Sequence, residues 1–201
     1  MTSFPITIAL SYLMGSISFG YLLVRIFHGE DVRQSGSGNI GATNVSRKSP
    51  LLGVLTLLLD ALKGFAAVAL ARGLFLGPSW LLSLAALAAV IGHCFPLWLK
   101  FRGGKGVATG VGAFLPLAPK SILVVLCIFI AVFAIFRYVA LASILAAALF
   151  PLTAWWLEPY RVTPAILTFM TGASLLIIVR HQGNIRRLIA GTEPRFQGSP
   201  R

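Results

Sequence analysis

The chain has 201 residues, of which 57% are hydrophobic and only 11% are charged. Soluble domains carry roughly 25% charged residues, so this composition excludes a water-exposed globular domain. The formal net charge of +12 does not indicate a nucleic-acid-binding protein, because Lys and Arg stand at the ends of apolar runs, where they orient membrane proteins. We expect an all-α integral membrane protein that forms a single domain over residues 1–201.

Six apolar segments match the roughly 20 residues of helix that a bilayer's hydrocarbon core requires, some of them falling slightly short. They cover residues 4–27, 51–71, 80–99, 121–136, 138–157 and 163–180. A further apolar stretch, 106–118, contains Pro116 and is too short for a standard span. A helix that short is tolerated at membrane depth only where protein or a cavity surrounds it.

The distribution of positive charge decides the predicted topology. Lys and Arg concentrate in loops 28–50 and 100–110 and in the tail after residue 180, and basic segments of membrane proteins collect on the cytoplasmic side. Both Arg137 and the tail return to that side only if 106–118 crosses separately. We therefore predict seven transmembrane helices, the fourth of them short, with the N-terminus outside and the C-terminus in the cytoplasm.

The first polar segment, Ser35–Arg47, reads SGSGNIGATNVSR. Glycines allow turns that point successive N–H groups at an anion, and Ser or Asn side chains add neutral donors. An arginine adds a fork that binds phosphate in a bidentate manner. A flexible linker would explain the glycines but not the other residues. The candidate binding residues are Gly36, Gly38, Gly41, Ser37, Asn39, Asn44 and Arg47.

The second polar segment encloses Lys105 between Gly103, Gly104 and Gly106, and an apolar helix follows. A helix N-terminus behind a glycine-rich turn binds anions, and the lysine supplies a point charge. The segment is not a Walker A loop, because that motif requires GxxxxGK[ST] after a strand. Gly103, Gly104 and Lys105 are therefore candidate phosphate-binding residues.

The third polar segment contains His181 and Asn184, which share one face if the preceding helix continues. We assign these two residues to the site, and we expect Arg186 and Arg187 to anchor the chain to anionic lipid. Ser143 lies one turn into the sixth span from its inner end, at the depth of the three segments. A lone serine in a membrane helix is usually a packing or backbone-bonding residue, so both interpretations of Ser143 stay open.

Two features inside the predicted spans favour structural roles. Asp60 and Lys63 stand three residues apart in the second span, and ionisable groups at such depth usually pair with each other. His93, near the inner end of the third span, is expected to be a structural histidine. The two cysteines, Cys94 and Cys127, lack metal-ligand spacing, and we expect neither a metal nor a cofactor.

The segments GSGNIGATNVSR (36–47), GHCFPLWLKFRGGKGVAT (92–109) and RHQGNIRRLIAGTE (180–193) resemble the three motifs of the bacterial membrane-integral acyl-phosphate:glycerol-3-phosphate acyltransferases, the PlsY-type family. The resemblance covers nearly the whole chain, with Arg102 where the family often has lysine. It implies transfer of a fatty acyl group from acyl phosphate to the 1-hydroxyl of sn-glycerol 3-phosphate, giving lysophosphatidic acid. It also implies an active site at the cytoplasmic face of the bacterial inner membrane, without an obligate protein partner.

The resemblance implies two sets of ligands. The donor phosphate would be held by Ser37, Asn39, nearby glycine N–H groups, Lys105 and Ser143. Glycerol 3-phosphate would be held by Arg47, His181 and Asn184, with Lys105 shared. Acyl phosphate has a good leaving group, so no covalent acyl-enzyme is needed, and our hypothesis is that the donor's phosphate serves as the general base. The acyl chain would lie in an apolar groove between helices that opens to the inner leaflet.

Two other classes of function compete with the acyltransferase. A transporter or channel for a phosphorylated metabolite would use the same polar segments as its binding site, but transporters often contain repeated halves, and this sequence shows no repeat. A membrane scaffold without enzymatic activity would not explain three separate phosphate-suited segments.

Overall fold

A computed structural model describes residues 3–74 and 79–196, and the regular elements within these ranges are all helical. The helices are α1 (Ser3–Ser16), α2 (Phe19–His28), α3 (Ala42–Val45), α4 (Pro50–Leu74), α5 (Ser79–Cys94), α6 (Val107–Phe114), α7 (Pro119–Phe136), α8 (Val139–Leu157), α9 (Pro164–Arg180) and α10 (Gln182–Ile189). Short 3₁₀ turns occur at Val32–Gln34 and Leu97–Leu99. The predicted all-α class is confirmed.

Five stretches in the described ranges are long and apolar enough to cross a membrane. They are Phe4–His28, Pro50–Leu74, Ser79–Leu99, Pro119–Phe136 and Val139–Leu157. The pair α9 and α10, bent by 57° where they meet, makes a sixth if it is counted as one span. These stretches agree with the predicted apolar segments and confirm a chain that crosses the membrane several times.

The first of these stretches differs from the predicted continuous helix, because it is broken at Ile17 and Ser18 between α1 and α2. Hydroxyl groups bond to the backbone around the break: Ser16 Oγ donates to the Tyr12 carbonyl at 2.9 Å and Ser18 Oγ to the Ser16 carbonyl at 3.2 Å. The carbonyl of Ile17 accepts a hydrogen bond from Lys63 Nζ on α4. A side chain from a neighbouring helix thus satisfies the backbone at the break, as a membrane interior requires.

The chain divides into two compact units, Met1–Pro116 and Leu117–Arg201. In the first unit, helices approach closely at glycines. A Cβ at Gly64 on α4 would collide with the Thr109 carbonyl on α6, and a Cβ at Gly112 on α6 would collide with the Ala61 carbonyl on α4. Small residues of this kind let the backbones of membrane helices touch.

Helix α6 corresponds to the predicted short crossing 106–118. It has eight residues, which is about 12 Å of helix, so it is shorter than the expected segment. All eight of its residues are buried or half-buried within the protein, with Thr109 and Ala113 completely covered. Its surroundings meet the condition that a short helix at membrane depth must be enclosed by protein.

The second unit consists of α7 to α10 and the segment that follows them. At one end, the buried Glu158 accepts a hydrogen bond from the Lys120 backbone N–H at 2.8 Å and thereby caps the start of α7. At the other end, α7 stops at Arg137, whose φ of +61° is left-handed. The Arg137 carbonyl accepts a bond from Phe196 N–H at 2.8 Å, and the Phe196 ring meets Phe133 edge-on. The chain after α10 therefore docks against the α7–α8 corner.

Candidate active site

The loop between α2 and α4 is organised around the side chain of Asn44, which is only 3% exposed. Its amide nitrogen donates to the carbonyls of Val32 at 3.1 Å, Ser35 at 3.0 Å and Asn39 at 2.9 Å. Its amide oxygen accepts a hydrogen bond from the Ser37 backbone N–H at 2.9 Å. Buried polar groups must be bonded in this way, since each unsatisfied one costs about 1–3 kcal/mol. Asn44 therefore fixes the course of the loop from within.

Two glycines make this arrangement possible. Gly36 and Gly38 have φ values of +60° and +68°, a left-handed conformation that glycine adopts without strain. A Cβ at Gly36 would also collide with Asn44 Oδ1. The neighbouring Asn39 uses its side-chain oxygen to accept from Gly41 N–H at 2.9 Å, which is the local turn typical of asparagine.

Ser37 and Arg47 lie exposed on the surface of this loop. The Arg47 guanidinium reaches over Gly36, with Nη1 3.3 Å from the position that a Cβ there would take. Within residues 3–74 and 79–196, neither side chain forms a hydrogen bond or ion pair. Both groups are consequently available to bind an anion such as phosphate.

The carboxylates of the same loop are neutralised locally. Asp31 pairs with Arg33 at 2.6 Å, and Glu30 pairs with Lys48. Hydrogen bonds from Arg33 and Lys48 hold the pKa values of Asp31 and Glu30 below their usual range, and the Asp31 carboxylate raises the pKa of Arg33. Both carboxylates therefore stay ionised and are occupied by their own partners, and neither of them pairs with Arg47.

The loop that carries Lys105 folds back on the end of α5. The N–H groups of Gly103 and Gly104 donate to the carbonyls of Cys94 at 3.2 Å and His93 at 3.0 Å. Gly106, with φ of +84°, then turns the chain into α6. The N–H groups of Gly103 and Gly104, expected to face a phosphate, thus serve the fold of the loop itself. Spacing in the sequence does not reveal which way an N–H group points.

A buried polar cluster lies beneath this loop. Lys63 Nζ is 2.7 Å from Asp60 Oδ1, which confirms the predicted ion pair. His93 Nδ1 is 3.2 Å from Thr109 Oγ1 and 3.7 Å from Asp60 Oδ1. All four residues are at most 4% exposed. His93 is buried and bonded, as expected for a structural histidine.

The remaining candidates, His181, Asn184 and Ser143, belong to the second unit. The helix does not continue straight past His181 as expected, but bends there by 57°. His181 is 2% exposed, and its Nδ1 lies 2.8 Å from the Ile177 carbonyl. Ser143 Oγ donates to the Val139 carbonyl at 2.8 Å. This bond matches one of the two interpretations of Ser143, that of a serine bonded to the backbone of its own helix.

The tail segment supplies a residue that the sequence reasoning missed, Glu193. Its Oε1 accepts from Asn184 Nδ2 at 2.6 Å, and its Oε2 lies 2.7 Å from Arg187 Nε. The Arg187 guanidinium is therefore paired with Glu193, although the arginine side chain is 43% exposed, and its role as a lipid anchor stays a prediction. The sequence offered one signal for this role of Glu193, the scarcity of acidic residues. With five Asp and Glu against 17 Lys and Arg, each carboxylate is expected to pair with a cation.

Comparisons with known proteins agree on one family. The family model for glycerol-3-phosphate acyltransferase matches residues 5–191. The glycerol-3-phosphate acyltransferase of Syntrophotalea carbinolica is 47% identical over 199 residues, covering 98% of this chain and 100% of that protein. The enzyme of the same name from Geobacter sulfurreducens is 45% identical over 190 residues, covering 94% of this chain and 95% of that protein.

Solved structures are also similar. The crystal structure of PlsY, an integral membrane glycerol 3-phosphate acyltransferase, in its glycerol 3-phosphate form matches with a TM-score of 0.89 and 39% identity, covering 97% of this chain and 96% of that one. Its lysophosphatidic acid form matches with a TM-score of 0.86 and 38% identity.

The hydrogen bonds of Asn44 generate a first prediction. Asn44→Asp keeps the shape of the side chain but replaces the donating amide nitrogen with a carboxylate oxygen. Three backbone carbonyl oxygens then lose their donor and face a negative charge. We expect the free energy of unfolding to fall by about 1–3 kcal/mol or more, and amide hydrogen exchange in residues 35–44 to accelerate. The matched control for stability is Asn39→Asp, which retains the oxygen that accepts from Gly41. Equal melting temperatures and exchange rates for the two variants in detergent would contradict the role of Asn44.

Proposed function

The chain belongs to the glycerol-3-phosphate acyltransferase family, and from this premise we propose that it transfers a fatty acyl group from acyl phosphate to the 1-hydroxyl of sn-glycerol 3-phosphate. The product is lysophosphatidic acid. Relatives at about 45–47% identity over nearly their full length carry the name of this activity, and a solved relative is described in forms with the acceptor and with the product.

One observation supports acyl phosphate as the donor and the donor's phosphate as the base. Each of the five carboxylates in the chain lies beside a cation of its own: Glu30 with Lys48, Asp31 with Arg33, Asp60 with Lys63, Glu158 with Arg161 and Glu193 with Arg187. Because each carboxylate already engages a cation within the fold, none of them is placed as an unpaired general base. This arrangement supports a reaction in which the substrate provides both the leaving group and the base.

The reaction balances without a protein nucleophile. The 1-hydroxyl oxygen attacks the acyl carbonyl carbon, an ester bond forms, and the bond between the carbonyl carbon and the phosphate oxygen breaks. The hydroxyl proton passes to a phosphate oxygen, and inorganic phosphate leaves. Positioning supplies as much as about 7–11 kcal/mol in well-oriented systems, and fixed cations stabilise the developing charge.

We assign roles within the first unit as follows. Ser37, Asn39 and Lys105 hold the donor phosphate, and Arg47 binds the phosphate of glycerol 3-phosphate. The buried amide and the glycines of both loops act by shaping them; these residues are Asn44, Gly36, Gly38, Gly41, Gly103 and Gly104. In the second unit, the resemblance supports His181 and Asn184 as acceptor-binding residues and Ser143 as a donor-binding residue.

The topology that we propose has seven transmembrane helices, with α6 as the fourth, the N-terminus outside and the C-terminus in the cytoplasm. It supposes that α9 spans the membrane by itself and that α10 follows it on the inner side. The enclosure of α6 by protein supports its presence at membrane depth. The excess of Lys and Arg in the three polar segments supports an active site that faces the cytoplasm of a bacterial inner membrane.

The function predicts a defined product. Purified protein supplied with acyl phosphate and labelled glycerol 3-phosphate should form labelled lysophosphatidic acid, detected after lipid extraction. Acyl-CoA in place of acyl phosphate should give no comparable turnover. Absence of labelled lipid would overturn the proposal, and protein-dependent uptake of glycerol 3-phosphate into sealed vesicles would favour a transporter instead.

The role of Arg47 is tested by kinetics. Arg47→Ala should raise KM for glycerol 3-phosphate by at least about 10-fold, because a charge-assisted hydrogen bond contributes about 1.5–3 kcal/mol, whereas KM for acyl phosphate should change little. Lys48→Ala is the matched control, since this neighbouring cation is already paired with Glu30. If both variants behaved like the wild type, Arg47 would not bind the acceptor.

The topology is tested by cysteine labelling. In a background with Cys94 and Cys127 replaced by alanine, a membrane-impermeant maleimide should label Arg161→Cys in intact spheroplasts. Arg186→Cys, at an exposed position, should react only after the membrane is permeabilised. Labelling of Arg161→Cys from the inner side alone would refute seven spans.

A further inference from the structure

We propose that His93 is a positioning residue that holds Lys105 in place, acting through the glycine loop and through Thr109 rather than on the substrate. The inference rests on the proposed function, in which Lys105 binds the donor phosphate. It adds a role for the buried cluster beneath the loop, which the reaction described above does not use.

The backbone of His93 is the first link. Its carbonyl accepts the N–H of Gly104, the residue immediately before Lys105, at 3.0 Å. The adjacent Gly103 is tied in the same way to Cys94. The two residues before Lys105 are therefore hydrogen-bonded to the last turn of α5.

The ring of His93 is the second link. A Cβ at Gly104 would collide with His93 Nε2, so that the imidazole occupies the space left by the missing side chain. The other ring nitrogen, Nδ1, lies 3.2 Å from Thr109 Oγ1 on the first turn of α6. The imidazole thus contacts Gly104 before Lys105 and Thr109 after it. It therefore sets the distance between the glycine loop and α6, which Lys105 connects.

The ion pair between Asp60 and Lys63 lies next to the ring and connects it to the first span. Asp60 Oδ1 lies 3.7 Å from His93 Nδ1 and 2.7 Å from Lys63 Nζ. Lys63 in turn donates to the Ile17 carbonyl at the break between α1 and α2. The chain of contacts leads from the broken first span through α4 to His93, and it ends at the glycine loop.

Protein groups face both ring nitrogens of His93, Gly104 at Nε2 and Thr109 at Nδ1, and this arrangement separates the ring from a directly catalytic role. A histidine that merely filled space would require no polar partner on α6. A displacement of a catalytic group by about 1 Å can lower a rate 100-fold, so removal of the ring is expected to act on kcat.

The test compares His93→Ala with Ser83→Ala in the purified full-length protein. Ser83 lies on the same helix and is completely buried, and its hydroxyl has no hydrogen-bond partner within the described residues, so it is a matched truncation away from the loop. We expect His93→Ala to lower kcat by about 10–100-fold with KM for glycerol 3-phosphate within about twofold, and Ser83→Ala to keep wild-type kinetics. His93→Asn, which retains a polar group near Thr109, should recover part of the lost kcat.

Two further measurements separate positioning from general stability. Amide hydrogen exchange in residues 103–106 should accelerate in His93→Ala while the centres of α4 and α5 stay protected. Added to Lys105→Ala, His93→Ala should lower the residual kcat by less than about twofold, because the histidine acts through that lysine.

The inference would be overturned if His93→Ala had wild-type kcat and wild-type protection of residues 103–106 from amide hydrogen exchange. A uniform rise of amide hydrogen exchange throughout the first unit would overturn it as well. An inactive wild-type protein would instead contradict the proposed function, and the exchange measurement would still decide the structural part of the inference.

Discussion

The ion pair between Asp60 and Lys63 is the interaction on which the first unit depends. At the break in the first span, the Ile17 carbonyl needs a hydrogen-bond donor, because an unsatisfied polar group in the hydrocarbon core costs several kcal/mol. Lys63 satisfies it, but an ammonium at this depth requires a counter-charge. Asp60 supplies that charge, and its second neighbour, His93, connects the pair to the glycine loop. Removing one member would leave an uncompensated buried charge, which is strongly destabilising.

The polar loops divide their residues between an inner and an outer set. Asn44 and the left-handed Gly36 hold the first loop from within, which leaves Ser37 and Arg47 on its surface. In the second loop, His93 occupies the space beside Gly104. In both loops a glycine stands where a buried polar side chain needs room. The glycines therefore matter as much for what packs against them as for the backbone angles they allow.

The sequence was sufficient to predict the elements whose cause is local. Apolar runs predicted the spans, and the spacing of Asp60 and Lys63 predicted their ion pair. The role of Asn44 was not predictable, because its bonds reach across up to 12 residues of irregular loop. The orientation of the N–H groups of Gly103 and Gly104 was not predictable either. Their partners lie at the end of α5, and they are reached only because the loop folds back on that helix. The bend at His181 arose in a segment whose composition is compatible with one straight helix.

The balance of charge in this protein, with few acids and many bases, suits the two phosphorylated substrates of the proposed reaction. Five carboxylates each engage a cation, while 17 lysines and arginines are present. In the proposed topology the surplus cations orient the chain in the membrane, and the sequence contains too few carboxylates to neutralise them. A carboxylate introduced beside Arg47 would compete with the acceptor phosphate for the same guanidinium. Scarcity of acids is thus consistent with both the membrane and the proposed chemistry, in which the donor phosphate accepts the proton.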